Sequence, residues 1–593
     1  MDQISKILIA TLFALSFSFS EDQSIKEQFI SDLLEKMTLE EKIGQMNQYS
    51  SFFDVTGPPP EDNSAKNKYD YIRTGMVGSV LNVKGPKDVR AMQELAVNNS
   101  RLGIPMIFGI DVIHGFKTIT PIPLAESASW DLEAIEASAR MAATEAAAAG
   151  INWTFAPMVD ISRDARWGRV MEGGGEDPYL GSQIAAARIN GFQGSDLGAT
   201  NTIAACAKHF AAYGFAEAGR DYNTADIGTS TLHNIILPPF KAAVVAGVRT
   251  FMNSFNELNG IPATGDSYLQ RDLLKGQWGF TGFVVSDWAG IDDIPGDYKN
   301  DIANSINAGM DMVMVPGMPE GHSFAEFQQL LKEAVEEELV AQERIDDAVK
   351  RILTIKYEMG LFDEPFSDRS LLSQVGSEEH REIARQAVRE SSVLLKNDEL
   401  LPLSKNIAKI HVSGKRANDV GAQCGGWTIS WQGDNGDIMP GTTVLKAIQN
   451  SVSSSTEVTY SVDGSNSEGA TAAVVVIGED PYAEMQGDKE TLDLDPDDIA
   501  ALQRINSAGV PMVVVMLSGR PLIIDDYIKD WSGFIAAWLP GTEAAGITDI
   551  IFGDYSPTGK LSYSWPKKTS QLPFNSRTEN YDPLLPLGFG LSY

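Results

Sequence analysis

Short apolar runs recur along the first 360 residues, each followed by a stretch with helical spacing. The runs are Met76 to Val83, Ile104 to Ile110, Ile151 to Met158, Ile203 to Ala207, Val248 to Met252, Gly282 to Val285 and Met310 to Val315. Apolar on both sides and bounded by turn residues, they suit parallel strands covered on both faces. The clearest helix runs from Asp131 to Ala149, Ala-rich and closed by Gly150 as its stop signal. Strands alternating with helices predict an α/β fold with a parallel sheet. The number of pairs approaches the eight of a (β/α)8 TIM-like barrel, expected over residues 21–359.

A helical pattern from Ala341 to Tyr357 precedes Pro365 and a polar stretch, so residues 360–377 are predicted as a linker. Apolar runs resume at Ile410 to Val412, Ala472 to Ile477, Val510 to Leu517 and Gly533 to Trp538, with helical patterns between. They predict a three-layer α/β/α sandwich over 378–564. Residues 565–593, rich in Pro, Tyr and Gly, are expected as a tail packed on the surface.

Length agrees with this division, because 593 residues exceed what one core supports. Charge narrows the partners. A formal net charge of −33 excludes nucleic acid and anionic membrane surfaces, which require basic patches. At the start, Lys6 precedes an apolar run from Ile7 to Phe19, and Ser18-Phe19-Ser20 resembles a small-x-small cleavage site. Residues 1–20 therefore predict a signal peptide and an exported protein, periplasmic or secreted, with no membrane insertion. The two cysteines, Cys206 and Cys424, are too few for a disulfide framework, and Cys206 sits in an apolar strand as a core thiol.

Polar groups of one kind gather where the predicted strands end. Asp111 follows Gly109-Ile110 and precedes His114. Arg163-Asp164-Ala165-Arg166-Trp167-Gly168-Arg169 leads into Glu172-Gly173-Gly174-Gly175-Glu176-Asp177. Lys208-His209-Phe210 closes one run, Asn253 and Asn256 another, and Ser286-Asp287-Trp288 the strand Phe283-Val284-Val285. In a barrel, the carboxyl ends of the strands carry the active site. Charged donors beside carboxylate acceptors can fix the several hydroxyls of a pyranose, and an indole can face its ring. Each residue also has an ordinary reading: Arg169 bridging a loop carboxylate, His209 a satisfied core histidine, Asp111 a helix cap. The six histidines form no His-x-x-x-His pair, and no phosphate loop or dinucleotide fingerprint follows a strand. Neither a metal nor a cofactor is implied.

Taken in order, Arg166-Trp167-Gly168-Arg169, Lys208-His209-Phe210 and Ser286-Asp287-Trp288 resemble the signature set of glycoside hydrolase family 3. The stretches Gln423-Cys424-Gly425-Gly426-Trp427-Thr428-Ile429-Ser430-Trp431-Gln432-Gly433-Asp434 and Gly478-Glu479-Asp480-Pro481-Tyr482-Ala483-Glu484 are similar to the second domain of plant β-glucan exohydrolases and their bacterial relatives. The resemblance implies a retaining mechanism with Asp287 as nucleophile and Glu484 as acid/base, Glu479 being the rival glutamate on the same loop. It implies that Asp111, Arg169, Lys208 and His209 hold the hydroxyls of a terminal glucose and that Trp288 and Trp431 clamp the next sugar. Asp221 falls near an outer-subsite carboxylate of the family. Two departures stand out: Phe255 where many members carry a Tyr bonded to the nucleophile, and Asp293 where plant-type members carry an Arg. No fibronectin-like third domain is expected.

The reading is an exported retaining β-glucosidase or exo-β-glucanase acting on β-1,3- and β-1,4-linked oligosaccharides, as monomer or homodimer. A β-N-acetylglucosaminidase of the family would carry a His in the loop after Lys-His-Phe, which here reads Ala211 to Gly219 without one. A β-xylosidase and a non-catalytic exported sugar-binding protein remain as alternatives.

Overall fold

The computed structural model describes residues 23–50, 63–83, 85–292, 294, 296–316 and 322–593. The predicted signal segment, residues 1–20, and Asp293 lie outside the described residues. What is described packs as two compact units, one within Met1–Gly109 and Thr264–Ser367, the other Ile110–Ala263 with Asp368–Tyr593. The break at Ser367 falls inside the predicted linker.

In the first unit, Asn47–Ser50 pairs in parallel with Val313–Val315 on one side and Ser79–Leu81 on the other, and Ser79–Leu81 pairs with Ile107–Ile110. Asn47–Ser50 is a strand the apolar pattern does not reveal. Its residues Asn, Gln, Tyr and Ser are all buried, and Gln48 Nε2 donates to Ser79 Oγ of the neighbouring strand at 2.7 Å. The neighbouring strand thus supplies a partner for the Gln48 amide nitrogen. The strand Phe283–Val285 follows the prediction and is wholly buried. Its Val284 N–H donates to Asp311 Oδ2 at 2.8 Å, and Asp311 is ion-paired with Lys275 at 2.7 Å and with Arg344.

The last long helix of this unit, Gln342–Glu358, turns Lys356 inward, where it is fully buried. Its ammonium donates to Gln45 Oε1 at 2.6 Å, Gly78 O at 3.0 Å and Pro105 O at 2.7 Å. Three segments are thereby tied to one helix by a single charge.

The second unit is built on a six-stranded sheet. Its order is Val393–Asn397, Gly533–Ala536, Met512–Leu517, Ala472–Gly478, Lys409–Ser413, Glu457–Ser461. All pairings are parallel except the first. The two central strands, Ala472–Gly478 and Met512–Leu517, are buried at every position. Their continuous Val, Ile, Met and Leu runs are what a doubly covered strand requires. The apolar pattern does not single out the edge strands Val393–Asn397 and Glu457–Ser461, since each is short and half polar. Trp565, predicted in a surface tail, lies fully inside the core, while Leu584, Leu585, Phe589 and Leu591 pack against that core. Both cysteines are buried, and they form no disulfide.

Also in this unit, the helix Leu132–Ala148 starts where Asp131 accepts from the N–H groups of Glu133 and Ala134. Cys206–Phe210 and Thr250–Asn253 form a parallel pair whose register shifts between Ala207 and Phe210. Lys208 and His209 therefore lie within a strand, at an irregularity, rather than just beyond its end. The sheets establish a two-part α/β fold. No helix of the described residues is long and apolar enough to cross a membrane.

Replacing Lys356 by Met keeps its stem but strands two buried acceptors, Gln45 Oε1 and Pro105 O, since Gly78 O keeps the Ile107 N–H at 3.2 Å. Lys356→Met is expected to cost about 3–5 kcal/mol, since each orphaned acceptor costs roughly 1–3 kcal/mol. Chemical denaturation of the two proteins side by side measures it.

Candidate active site

Seven of the nine residues singled out from the sequence belong to the second unit, and six of them are joined directly or through intervening side chains. Lys208 Nζ reaches Asp111 Oδ1 at 2.9 Å, and the same ammonium sits 5.3 Å from the centre of the Trp427 ring. On that indole, 5.8 Å from its centre, is also the guanidinium of Arg169. Arg169 pairs with Glu172 through two parallel bonds of 2.9 Å, Nε to Oε1 and Nη2 to Oε2. Its Nη1 lies 3.2 Å from Glu484 Oε1. The chain of contacts therefore runs Asp111, Lys208, Trp427, Arg169, Glu484.

Burial decides how these charges behave. Arg169 and Glu172 are almost fully enclosed. Burial opposes the Arg169 charge, but the carboxylates of Glu172, Glu484 and Asp221 outweigh it and hold its pKa well above the ordinary value. His209 goes the other way. Burial first, then the charges of Arg169 and Lys208, push its pKa well below the usual imidazole range. Its ring Nδ1 lies 3.0 Å from Asp160 Oδ2, which also accepts from the His209 backbone N–H at 2.8 Å. Burial lifts the Asp160 carboxyl to about 7.

Glu484 opens a single 3-10 turn, Glu484–Gly487, with left-handed backbone at φ 51°. Only 8% of its surface is exposed. Its carbonyl passes so close to Gly168 that a Cβ there would stand 2.0 Å from the oxygen, so glycine is required at 168. The approach is pinned by Asp488, which accepts from the N–H of Gly168 at 2.9 Å and of Asp221 at 2.8 Å. Asp221 itself accepts from Trp167 Nε1 at 3.0 Å, and burial raises its pKa. On the far side, Tyr222 Oη donates to Glu484 Oε2 at 2.6 Å.

The rival glutamate does different work. Glu479 accepts from Arg520 Nε at 3.1 Å, Tyr482 Oη at 3.1 Å and the Gly519 N–H at 3.1 Å. Arg520 is fully buried and also donates to the carbonyls of Ala165 and Arg166. Glu479 thus neutralises an internal guanidinium. Glu176, from the glycine-rich run, is likewise an anchor, accepting from Ser564 and from the Ser576 N–H.

Trp431 is 45% exposed, so it is not a core aromatic. Its carbonyl accepts from the Trp427 N–H at 2.9 Å, closing the loop that presents it. Asp287 and Trp288 belong to the first unit. There, Ser286 Oγ accepts from the Met314 N–H and donates to Asp287 O, each at 2.9 Å, fixing the strand end. Asp287 is half-buried, with Oδ1 accepting from the Trp288 N–H at 2.7 Å, and Trp288 is 36% exposed. Sequence reasoning did not assign Glu172, Asp160, Trp427, Tyr222 or Asp488. Only Glu172 carried a local signal, its placement three residues after Arg169 in a short turn. Among the described residues no group of three or more His, Cys, Asp or Glu side chains is arranged to hold a metal.

Comparison with known proteins gives this arrangement a context. Residues 38–355 match the glycosyl hydrolase family 3 N terminal domain, and residues 392–593 the glycosyl hydrolase family 3 C-terminal domain. The chain is 33% identical to a periplasmic beta-glucosidase of Salmonella typhimurium, over 96% of this chain and 80% of that one. Its structure is similar to the exo-1,3/1,4-beta-glucanase from a Pseudoalteromonas species, with TM-score 0.88, 35% identity, and coverage of 96% of this chain and 74% of the other. It is also similar to a mutant beta-glucosidase from Listeria innocua in complex with laminaribiose, with TM-score 0.85, 31% identity, and coverage of 95% and 83%.

Removing Glu479 leaves the Arg520 charge buried without its carboxylate. Glu479→Ala is expected to lower stability by about 3–5 kcal/mol, seen as a fall in melting temperature. A Glu479→Ala protein as stable as the parent would refute the anchoring role.

Proposed function

Because the chain belongs to glycosyl hydrolase family 3, and is thus a glycoside hydrolase, we propose that it is an exported β-glucosidase or exo-β-glucanase. It releases single glucose units from non-reducing ends of β-1,3- and β-1,4-linked glucans and oligosaccharides. The observation that carries this reading is the contact chain from Asp111 through Lys208 and Arg169 to Glu484. It sets two fixed cationic donors and an acceptor beside a carboxyl that is itself held by donors. A neutral sugar with several hydroxyls matches such a set, and the overall charge of −33 suits an uncharged substrate.

On this reading the reaction is a double displacement. The Asp287 carboxylate attacks the anomeric carbon while the Glu484 carboxyl gives its proton to the departing glycosidic oxygen. A covalent glycosyl-enzyme results. Glu484, now ionised, takes a proton from water as that water attacks the same carbon and frees Asp287. Lys208 and Arg169 donate to sugar hydroxyls, and Asp111 accepts. His209, neutral in its buried setting, is oriented by Asp160 through Nδ1. The exposed indoles of Trp431 and Trp288 offer flat apolar faces to the next sugar. Asp221, tied to Trp167, is assigned to scaffolding the loop near the outer end rather than to direct grip.

The same reading extends to the organisation of the chain. Residues 21–359 close as a (β/α)8 barrel and 378–564 form the α/β/α sandwich. The 1–20 segment directs export to the periplasm or beyond, as the name of the Salmonella relative suggests.

Initial rates on aryl β-glucoside, β-xyloside and β-N-acetylglucosaminide test the substrate class. The glucoside is expected to dominate; a leading xyloside or hexosaminide rate would reassign the sugar, and binding without any turnover would make the chain a sugar-binding protein. For the residues, Asp287→Ala is expected to abolish turnover. Glu484→Ala is expected to lose roughly 10²–10⁴-fold, with aryl substrates bearing good leaving groups least affected and azide restoring rate. Azide rescue of Glu479→Ala instead would show that the acid/base had been misassigned.

A further inference from the structure

We infer that Tyr222 is a positioning residue for Glu484, its phenol holding Oε2 so that Oε1 is the oxygen that carries the proton. The inference rests on the reading of Glu484 as acid/base and extends it to a residue outside the family signature.

The phenol hydrogen bond is short, 2.6 Å from Tyr222 Oη to Glu484 Oε2. Packing alone gives no reason for it, since Tyr222 is 39% exposed and contributes little to any core. Its backbone is nevertheless left-handed, at φ 63°, a conformation unfavourable for a bulky side chain. What keeps it there is a set of ties around the ring and the main chain. The Phe255 ring meets the Tyr222 ring edge-on, 4.9 Å between centres at 70°, and Tyr213 lies 6.2 Å away. The adjacent Asp221 N–H is bound to Asp488, which follows Glu484 on the same segment and also holds Gly168. The loop that carries the phenol and the turn that carries the carboxyl are thus cross-linked by one aspartate. Phe255, a departure from the family pattern, has no hydroxyl of its own to offer a carboxylate; here its ring braces a phenol that has one.

A carboxyl that must give a proton in one half-reaction and take one in the next needs a fixed direction. Oε2 is occupied by the phenol. Oε1 faces Arg169 at 3.2 Å, and becomes the working oxygen when sugar hydroxyls take over the guanidinium. The phenol stays protonated throughout, because burial and the neighbouring Glu484 charge both raise its pKa. Among the described residues, the charged and titratable groups seen around the pair include Arg169 with Glu172 behind it, Asp221, Asp488 and Tyr213. All of them remain when Tyr222 loses its hydroxyl.

Tyr222→Phe isolates the hydrogen bond. A donor to the ionised carboxylate favours that form, so its loss lets Glu484 keep its proton to higher pH. The alkaline limb of kcat/KM is expected to move up by roughly one pH unit, with kcat down about ten-fold and KM within about two-fold. In a Glu484→Gln background, adding Tyr222→Phe is expected to change the residual rate less than about two-fold, because the two residues act as one. An unmoved alkaline limb, or the same fractional loss in both backgrounds, overturns the inference while leaving Glu484 as acid/base. Full activity in Glu484→Gln overturns both. If Tyr222→Phe folds poorly, 3,5-difluorotyrosine at 222, a stronger donor, must move the limb down; movement upward or none overturns the inference.

Discussion

The second unit depends on one buried cation. Arg169 is enclosed, and an enclosed guanidinium is tolerable only if its charge and donors are met in place. Glu172 supplies two parallel bonds from one turn away, and Glu484 approaches from a distant segment of the chain. The indole of Trp427 and the ring of Tyr213 face the same cation. Remove the guanidinium and two carboxylates would be left close together without a counter-charge. Arg169 is thus the charge on which the surrounding loops converge.

Convergence at this scale needs the backbones to come close, and small residues permit it. Gly168 lets the Glu484 carbonyl pass where no Cβ would fit, and Gly487 approaches Gly168 Cα in the same way. Asp488 then binds two N–H groups from two different loops, Gly168 and Asp221. Below it, Glu479 and Arg520 form a second enclosed pair that reaches the carbonyls of Ala165 and Arg166. The loop 163–169 is therefore held by Arg520 at its carbonyls and by Asp488 at the Gly168 N–H, while its Ala165 and Trp167 are seated in the hydrophobic core, as is the Tyr213 ring that faces Arg169.

The strand-end groups follow a different logic. Lys208 and His209 fall at the register shift with Thr250–Asn253, Lys208 staying bonded to Pro157 and Val159 on its other side, and they meet Asp111 and Asp160 in consecutive positions. A regular strand would send these neighbours to opposite faces. The register shift thus falls at two consecutive residues that meet two different carboxylates.

The amino-acid sequence by itself determined what is periodic or local. The Val- and Ile-rich runs at Ala472–Gly478 and Met512–Leu517 announce doubly covered strands, and Asp131 announces the start of its helix, because burial on both faces and capping act within a few residues. The ordered polar motifs at 163–169, 208–210 and 286–288 carried the family resemblance for the same reason. Tertiary structure alone decided the rest. Asn47–Ser50 is a buried strand because Val313–Val315 and Ser79–Leu81 pair with it on either side, and Trp565 is core only because the sheet of the second unit receives it. Glu479 and Glu484 differ in setting because of partners far along the chain, Arg520 for one and Arg169 with Tyr222 for the other. A carboxylate's role is set by which charges and donors meet it in space, and no local pattern encodes that meeting.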